Sequence, residues 1–249
     1  MKPYVILAGG CVHPPFEDRA AVDVFCQVGE VVKPDKLVWL GDAADCWHWS
    51  RHNKSWLSWP KQRLAMDPES EIEYVRDFHS DVLRRVQPRT AAWVSGNHEN
   101  RVRLWYERNA PGVVTSRDDF ASKFGVADLG FRFYPVDMKF RNVGFFHGWY
   151  ARQTRTNAKA NYLRYGMDCF GAHVHRDEEY VQRHSGSGLH GCFLSGCLCH
   201  VNPDWTVKPD WHQSFFVITF FDKMYHVERV RVIDGVGIYG GRRFVGKDQ

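Results

Sequence analysis

The 249 residues are 44% hydrophobic, 25% charged and 15% aromatic, enough apolar material for one large globular domain and a composition that excludes disorder as the main state. Thirty-three Lys plus Arg against 29 Asp plus Glu give +4 with histidines neutral. That is too mild for a dedicated nucleic-acid or membrane binder, though it leaves phosphate-bearing partners open. No apolar run approaches the roughly 18 residues of a membrane span, and the apolar stretch in MKPYVILAGG is too short for a signal-peptide core, so a cytosolic protein without membrane association is expected.

Residues 3–8, PYVILA, form an apolar run closed by Gly9 and Gly10, the pattern of a buried strand and a sharp turn. A helix is expected over 17–31, with Ala20, Ala21, Val24, Phe25 and Val28 on one face, broken by Pro34 and Asp35. A second buried strand over 36–40 stops at Gly41. The chain therefore opens β-α-β, with a parallel pair and a right-handed crossover. In DPESEIEYVRDFHSDVLRRV, from Asp67, an Asp N-cap, Pro at the first helical position and Ile72, Val75, Phe78, Val82 and Val86 at helical spacing predict a long amphipathic helix. A third strand over 90–94 ends in the polar turn SGNHEN. SRDDFASKFG, from Ser116, reads as a short helix with Asp119 in the capping-box position and Gly125 as its stop.

Beyond about Phe131 strands dominate, over 131–134, 138–140, 143–146, 179–183, 191–199, 215–221 and 225–232, with one helix over 157–165 closed by Gly166. No repeat, low-complexity tract or linker divides the chain. The expected fold is α/β, one domain over 1–249 built from two packed sheets with flanking helices, its chemistry in polar loops at strand ends. The Gly-rich, basic GVGIYGGRRFVGKDQ is expected to be a loose end. Cys11, Cys26, Cys46, Cys169, Cys192, Cys197 and Cys199 are odd in number in a chain large enough to fold without staples, so free thiols are expected.

Five segments share a format in which a predicted strand ends and a polar turn supplies metal-ligand side chains: GGCVH (9–13), GDAAD (41–45), GNHE (96–99), HG (147–148) and GAHVH (171–175). Each alone is an ordinary turn. Together, and in this order, they resemble the calcineurin-like metallophosphoesterase family, whose pattern is D-x-H, G-D-x-x-D, G-N-H-[DE], a later His and G-x-H-x-H. The resemblance runs from residue 9 to 175 and implies a sandwich of two mixed β-sheets flanked by helices, with which the strand-rich remainder is compatible.

It also implies a dinuclear metal centre. Two divalent ions about 3.5–4 Å apart lower the pKa of a bridging water and stabilise charge developing in line at phosphorus. Imidazole, carboxylate and an Asn carbonyl suit Mn, Fe, Zn or Ni better than Ca or Mg. By the resemblance Asp42 bridges the metals, His13 and His175 complete the first site with position 11, and Asn97, His147 and His173 complete the second. His98 corresponds to the non-ligand histidine that donates a proton to the leaving oxygen, and Asp45 orients it and keeps it protonated.

Cys11 stands where the family has aspartate. A thiolate carries the same charge and could ligate the first metal, biasing it toward Zn or Fe. A buried thiol could instead leave that site weak or empty, or catalysis could be lost and the fold kept as a binding module. Either ligand reading implies sensitivity to oxidation, since an exposed thiolate of low pKa is open to it.

Other features are weighed against ordinary packing. In GCFLSGCLCH the C-x-C-H could hold a soft metal, but no second pair lies at zinc-finger spacing, so strand cysteines packed as small apolar residues are expected. Cys46 is expected to pack, although it could line the pocket. Arg101 and Arg103, past GNHE, and Arg176, after His175, are candidate phosphate contacts. The aromatic and basic stretch 46–60, with Trp47, Trp49, Trp56 and Trp59 beside Arg51, His52 and Lys54, could stack bases or form a lid or dimer contact. Arg152, Arg155 and Lys159, between His147 and His173, are candidates for a positive rim.

The expected function is a metal-dependent phosphoesterase in which a metal-bound hydroxide attacks a phosphodiester or phosphomonoester. Motif spacing and size resemble small phosphoesterases of bacteria and phages. GNHENR echoes the protein phosphatases, but GDAADC lacks the arginine that they carry after the second aspartate, which favours a nucleotide or nucleic-acid substrate. The alternative is a non-catalytic protein of this fold that binds a phosphate-containing ligand or partner. Oligomeric state is not legible in the sequence.

Overall fold

The computed structural model describes residues 2–51, 66–186, 188–203, 209–222 and 224–248. The opening is the expected crossover. Strand β1 (Tyr4–Gly9) leads into helix α1 (Arg19–Val32), and β2 (Lys36–Trp39) returns parallel to β1. Asp18 caps α1 by accepting from Ala21 N, and Lys33 ends it in the left-handed conformation. Helix α2 (Pro68–Val86) starts as its sequence predicts, Asp67 accepting from Ser70 N with Pro68 in the first turn. Strand β3 (Thr90–Val94) follows, then helices α3 (Glu99–Asn109) and α4 (Phe120–Lys123).

The second half supplies β4 (Phe131–Tyr134), β5 (Asp137–Phe140), β6 (Val143–Phe146), α5 (Asn157–Tyr165), β7 (Asp168–Gly171), β8 (Glu178–His184) and β9 (Gly188–Leu194). The chain closes with β10 (Gln213–Phe221), β11 (Met224–Ile233), β12 (Val236–Tyr239) and β13 (Arg242–Val245). One sheet has eight strands in the order β13-β12-β11-β10-β1-β2-β3-β4, the other five in the order β5-β6-β7-β9-β8. β1 to β4 are mutually parallel, as are β6, β7 and β9, whereas β10 to β13 pair antiparallel. Both sheets are mixed.

Alternation along the strands sorts the core into layers. Leu7, Leu37, Trp39 and Trp93 pack with Phe25 and Val28 of α1 and Val75 and Val82 of α2. The intervening Ile6, Ala8, Val38, Ala92 and Val94 face Val143, Phe145 and Phe170 of the second sheet. The far side of that sheet, through Phe146, Cys169, Cys192 and Leu194, is covered by Ala158 and Tyr162 of α5. Among the described residues no helix is long and apolar enough to cross a membrane.

Several expectations are corrected. The turn expected over SGNHEN gives way at Glu99 to a helix over 99–109, for which no element was expected; only Glu99 and Val102 of it are buried, so the sequence carries no apolar stripe to announce it. Asp119 is the N-cap of α4, accepting from Ser122 N, not the third residue of a capping box. The strand expected over 191–199 stops at Leu194, and the four-residue β7 had no distinct signal. The C-terminal stretch is no loose end, because β12 and β13 are a hairpin whose turn residues Gly240 and Gly241 both take positive φ, 54° and 72°. A tight turn of that twist needs positive φ at both central positions, which glycine adopts without strain.

Candidate metal centre

The five turns meet at the carboxyl ends of the parallel strands, where ligands of open α/β sheets collect. Cys11 and His13 follow β1, Asp42 and Asp45 follow β2, Asn97 and His98 follow β3, His147 follows β6, and His173 and His175 follow β7. Local backbone strain concentrates here. Cys11, His13, Asp42, Cys46, His173 and His175 all have φ between 50° and 76°, a region costly for residues with a Cβ and found where surrounding structure enforces it.

The enforcing contacts run between turns. Cys11 N donates to Gly41 O at 3.0 Å, and Val12 N and His13 N donate to Asp42 O at 3.0 and 3.1 Å. Glu99, buried at the start of α3, ties two more turns together. Its Oε2 accepts from Asp42 N (3.0 Å) and Gly96 N (2.8 Å), and its Oε1 from Ala43 N (2.8 Å) and Trp93 Nε1 (3.0 Å). Gly96 leaves no room for a side chain: a Cβ there would lie 2.2 Å from Asp42 Oδ1.

Around the buried Asp42 carboxylate the donors form two clusters. On one side His13 Nε2 lies 3.2 Å from His175 Nε2 and 3.9 Å from Asp42 Oδ2. The Cys11 sulfur joins these two histidines, with ligand atoms within 4.8 Å of one another. On the other side His147 Nε2 lies 3.1 Å from Asp42 Oδ2, 3.0 Å from Asn97 Oδ1 and 3.0 Å from His173 Nδ1. His147 Nδ1 donates to Leu40 O at 2.8 Å, which turns Nε2 toward the cluster as a metal-binding tautomer would require.

Protonation fits a cation. Burial lowers His13 and His175, the latter well below its usual value, and takes His173 to about 4, with neighbouring histidines adding to each shift. These rings are therefore neutral at neutral pH, the form in which an imidazole can bind a metal. Burial opposes the Asp42 charge, but His147 and His98 outweigh it and hold the carboxylate well below the usual range. Burial also opposes charge on His147, yet Asp42 raises it, so a proton there stands in for a positive ion. His175 Nδ1 is buried without a hydrogen-bond partner among the described residues. The donor set fits two divalent ions that accept nitrogen and oxygen, with sulfur available at one.

Cys11 is fully buried, and burial together with the Asp42 charge pushes its thiol well above its ordinary value, against the His173 N–H that donates to its sulfur at 3.2 Å. This corrects the expectation of an exposed, oxidation-prone thiolate. A thiolate here needs a cation in contact.

His98 Nδ1 faces Asp45 O at 2.8 Å and Asp45 Oδ1 at 3.2 Å, and Asp45 Oδ1 also lies 3.4 Å from His13 Nδ1. Arg101 donates to Asp45 O and approaches His98 Nε2, each at 2.8 Å. The His98 backbone N–H donates to Asp42 Oδ1 at 2.9 Å. The structure thus brings together Cys11, His13, Asp42, Asp45, Asn97, His98, Arg101, His147, His173 and His175.

The remaining candidates divide. Arg176 is buried at the edge of the cavity beside His173 and His175, and its guanidinium donates to Arg152 O (2.6 Å), Gln153 O (3.2 Å) and Asp210 (3.0 Å), so that it braces the 151–153 loop. Arg152 is exposed and lines a cavity of about 220 Å³ with His173, His175 and Trp211. Arg155 and Lys159 are exposed nearby in sequence. Arg103 pairs with Glu107 at 3.0 Å on the surface of α3. A second cavity, about 270 Å³, joins Asn97 to Arg51, Arg101 and Arg108. Trp49 is buried against Phe124 and is core, not a base-stacking platform, whereas His52, Lys54, Trp56 and Trp59 lie outside the described residues. Cys46 is buried.

Two supporting residues escape sequence reasoning. Glu99 was visible only as part of GNHE. His79, in α2, is fully buried among Trp39, Trp93 and Phe131 and donates from Nε2 to Ala43 O at 2.8 Å, holding the turn that carries Asp42. A histidine on the apolar face of a predicted helix was the available signal.

The family model described as calcineurin-like phosphoesterase matches residues 4–207. The fold is similar to Vacuolar Protein Sorting 29 from Cryptosporidium parvum, at 12% identity, covering 98% of this chain and 100% of that one, with a TM-score of 0.51. It is also similar to wild-type Vps29 from Entamoeba histolytica, solved in complex with Zn²⁺, at 14% identity, covering 97% and 98%, with a TM-score of 0.50. No curated protein matches the sequence.

Proposed function

The chain belongs to the calcineurin-like phosphoesterase family, and we propose that it is a metal-dependent hydrolase of phosphate esters, favouring phosphodiesters in nucleotides or nucleic acid. The observation that carries this reading is the convergence of Cys11, His13 and His175 on one side of Asp42, and of Asn97, His147 and His173 on the other. When bound, two divalent ions supply Lewis acidity and a nucleophilic water. Mn, Fe, Zn and Ni are the candidate ions by donor type.

The chain's own groups handle substrate and proton. His98 stands beside Asp42 with Asp45 at Nδ1, so Nε2 is the nitrogen that passes a proton to the leaving oxygen. Arg101 occupies that nitrogen in the free protein. A phosphate oxygen is the stronger acceptor, so Arg101 shifts to substrate and frees Nε2 to take up from solvent the proton that it then passes on. Arg152 on one side, and Arg51 and Arg108 on the other, place positive charge in both cavities beside the centre, which suits a substrate with phosphates flanking the scissile one. Arg155 extends the rim.

β10 to β13 continue the larger sheet beyond the family match, which supports one domain over 1–249. Seven unpaired cysteines suit a reducing cytosol. The test is hydrolysis of a chromogenic phosphodiester by protein loaded with each metal in turn, with loss in His98→Ala expected to exceed 100-fold. The buried thiol at Cys11 favours one rival, a phosphate-binding protein without turnover. Full metal occupancy with no hydrolysis under any metal would establish that rival.

A further inference from the structure

Sulfur and imidazole meet a second time beside the centre. After β9 the chain runs extended through isolated bridges that pair Cys197 with Gln213 and Cys199 with Glu17. Residues two apart on extended chain share a face. Cys197 and Cys199 accordingly both enter the core between the sheets, while Leu198 enters the one beneath α1 and α2. Both cysteines are buried, and their sulfurs lie within 4.8 Å of each other and of a ring nitrogen of His175.

His175 is only 9% exposed and presents Nε2 to His13 at 3.2 Å, which leaves Nδ1 buried and without a hydrogen-bond partner among the described residues. An apolar filling of this volume needs no imidazole, and an imidazole buried here needs a partner for its second nitrogen. His200, adjacent in sequence, is exposed and pairs with Asp18 at 3.6 Å, so the imidazole comes from the GAHVH turn and not from the C-x-C-H run itself.

We propose that Cys197, Cys199 and His175 form a thiolate–imidazole site for Zn²⁺, separate from the two positions around Asp42. Two sulfurs and one nitrogen are three of the four ligands of a tetrahedral zinc, and water supplies the fourth. Binding releases one proton from each thiol to solvent and, where the first position of the centre is filled as well, the remaining N–H proton of the His175 imidazole, whose two nitrogens then face two ions. His175 would then touch both this ion and the first position of the centre, so filling one would set the ring orientation seen by the other. The inference does not depend on phosphoesterase activity.

Two measurements on the whole chain test it. In crystals grown with Zn²⁺, anomalous diffraction at the zinc edge is expected to show a peak about 2.3 Å from both the Cys197 and Cys199 sulfurs. Titration with Cd²⁺, followed by thiolate charge-transfer absorption, is expected to give at least two thiolates in wild type and two in Cys11→Asp, with one lost in Cys197→Ser and one in Cys199→Ser. Absence of the peak overturns the site, and so does a thiolate count of one or none, or a count unchanged in both serine variants. The diffraction result needs no variant and decides the matter if a serine variant does not fold.

Discussion

Glu99→Gln changes one atom of a buried carboxylate that accepts four hydrogen bonds, two at each oxygen. An amide keeps one oxygen, so two of the four donors, either Asp42 N with Gly96 N or Ala43 N with Trp93 Nε1, must face an NH₂ group. A buried donor left without an acceptor costs about 1–3 kcal/mol, giving about 2–6 kcal/mol for two. Burial and the Asp42 charge already push the Glu99 carboxyl above its usual range, so removing its charge relieves some repulsion and the net loss falls at about 2–4 kcal/mol. With a urea slope of about 2 kcal/mol per molar, the unfolding midpoint should drop by roughly 1–2 M at unchanged slope. Metal affinity should fall with it, since the turn carrying Asp42 loses one of its two anchors, at Asp42 N or at Ala43 N, in either orientation of the amide. Trp93→Phe removes a single donor and should cost less. A loss below about 1 kcal/mol, with metal affinity intact, would refute the reasoning that Glu99 holds the two turns.

Gly96→Ala should weaken metal binding and lower stability by about 1–3 kcal/mol, because the new Cβ would lie 2.2 Å from Asp42 Oδ1; metal content at fixed free metal and a thermal melt check this. Burial takes His79 from 6.5 to about 3, so its contribution is complete above 6.5 and is lost as pH falls from 6.5 toward 3, where the unfolded chain binds a proton that the native one refuses. Between pH 6 and 5, urea unfolding of wild type should therefore lose about 1 kcal/mol more than His79→Gln, and equal losses would exclude the effect. Cys11→Asp should raise Mn²⁺ affinity more than Zn²⁺ affinity by calorimetry, since it replaces a soft donor with a hard one at a φ of 50° that Asp tolerates well; an unchanged ratio would place Cys11 outside the metal shell.

Much of the frame was readable along the chain. The apolar run at 3–8, the capped helix beginning at Asp67 and the strand at 90–94 are signals carried by adjacent residues, and each element stands where its pattern puts it. Helix α3 and the β12–β13 hairpin were missed for opposite reasons. The former buries too little to show a stripe, and the glycines of the latter serve a turn as readily as a loose tail. Arg176 looked like a phosphate ligand because charge and position in the chain are visible, whereas its acceptors, the carbonyls of Arg152 and Gln153 and the Asp210 carboxylate, are brought to it only by folding.

The sequence by itself determined the donor types and their order, because each ligand sits within a few residues of a strand end and a turn needs only local chemistry. Tertiary structure alone decided which donors meet. It set His13 against His175 and His147 against Asn97 and His173, and it placed Glu99 under both acidic turns. It also replaced His200 by His175 as the imidazole beside Cys197 and Cys199. The pairings among the histidines and Asn97 span 26 to 162 residues of chain. Contacts at such separation are fixed by strand order and layer packing, which no local pattern encodes.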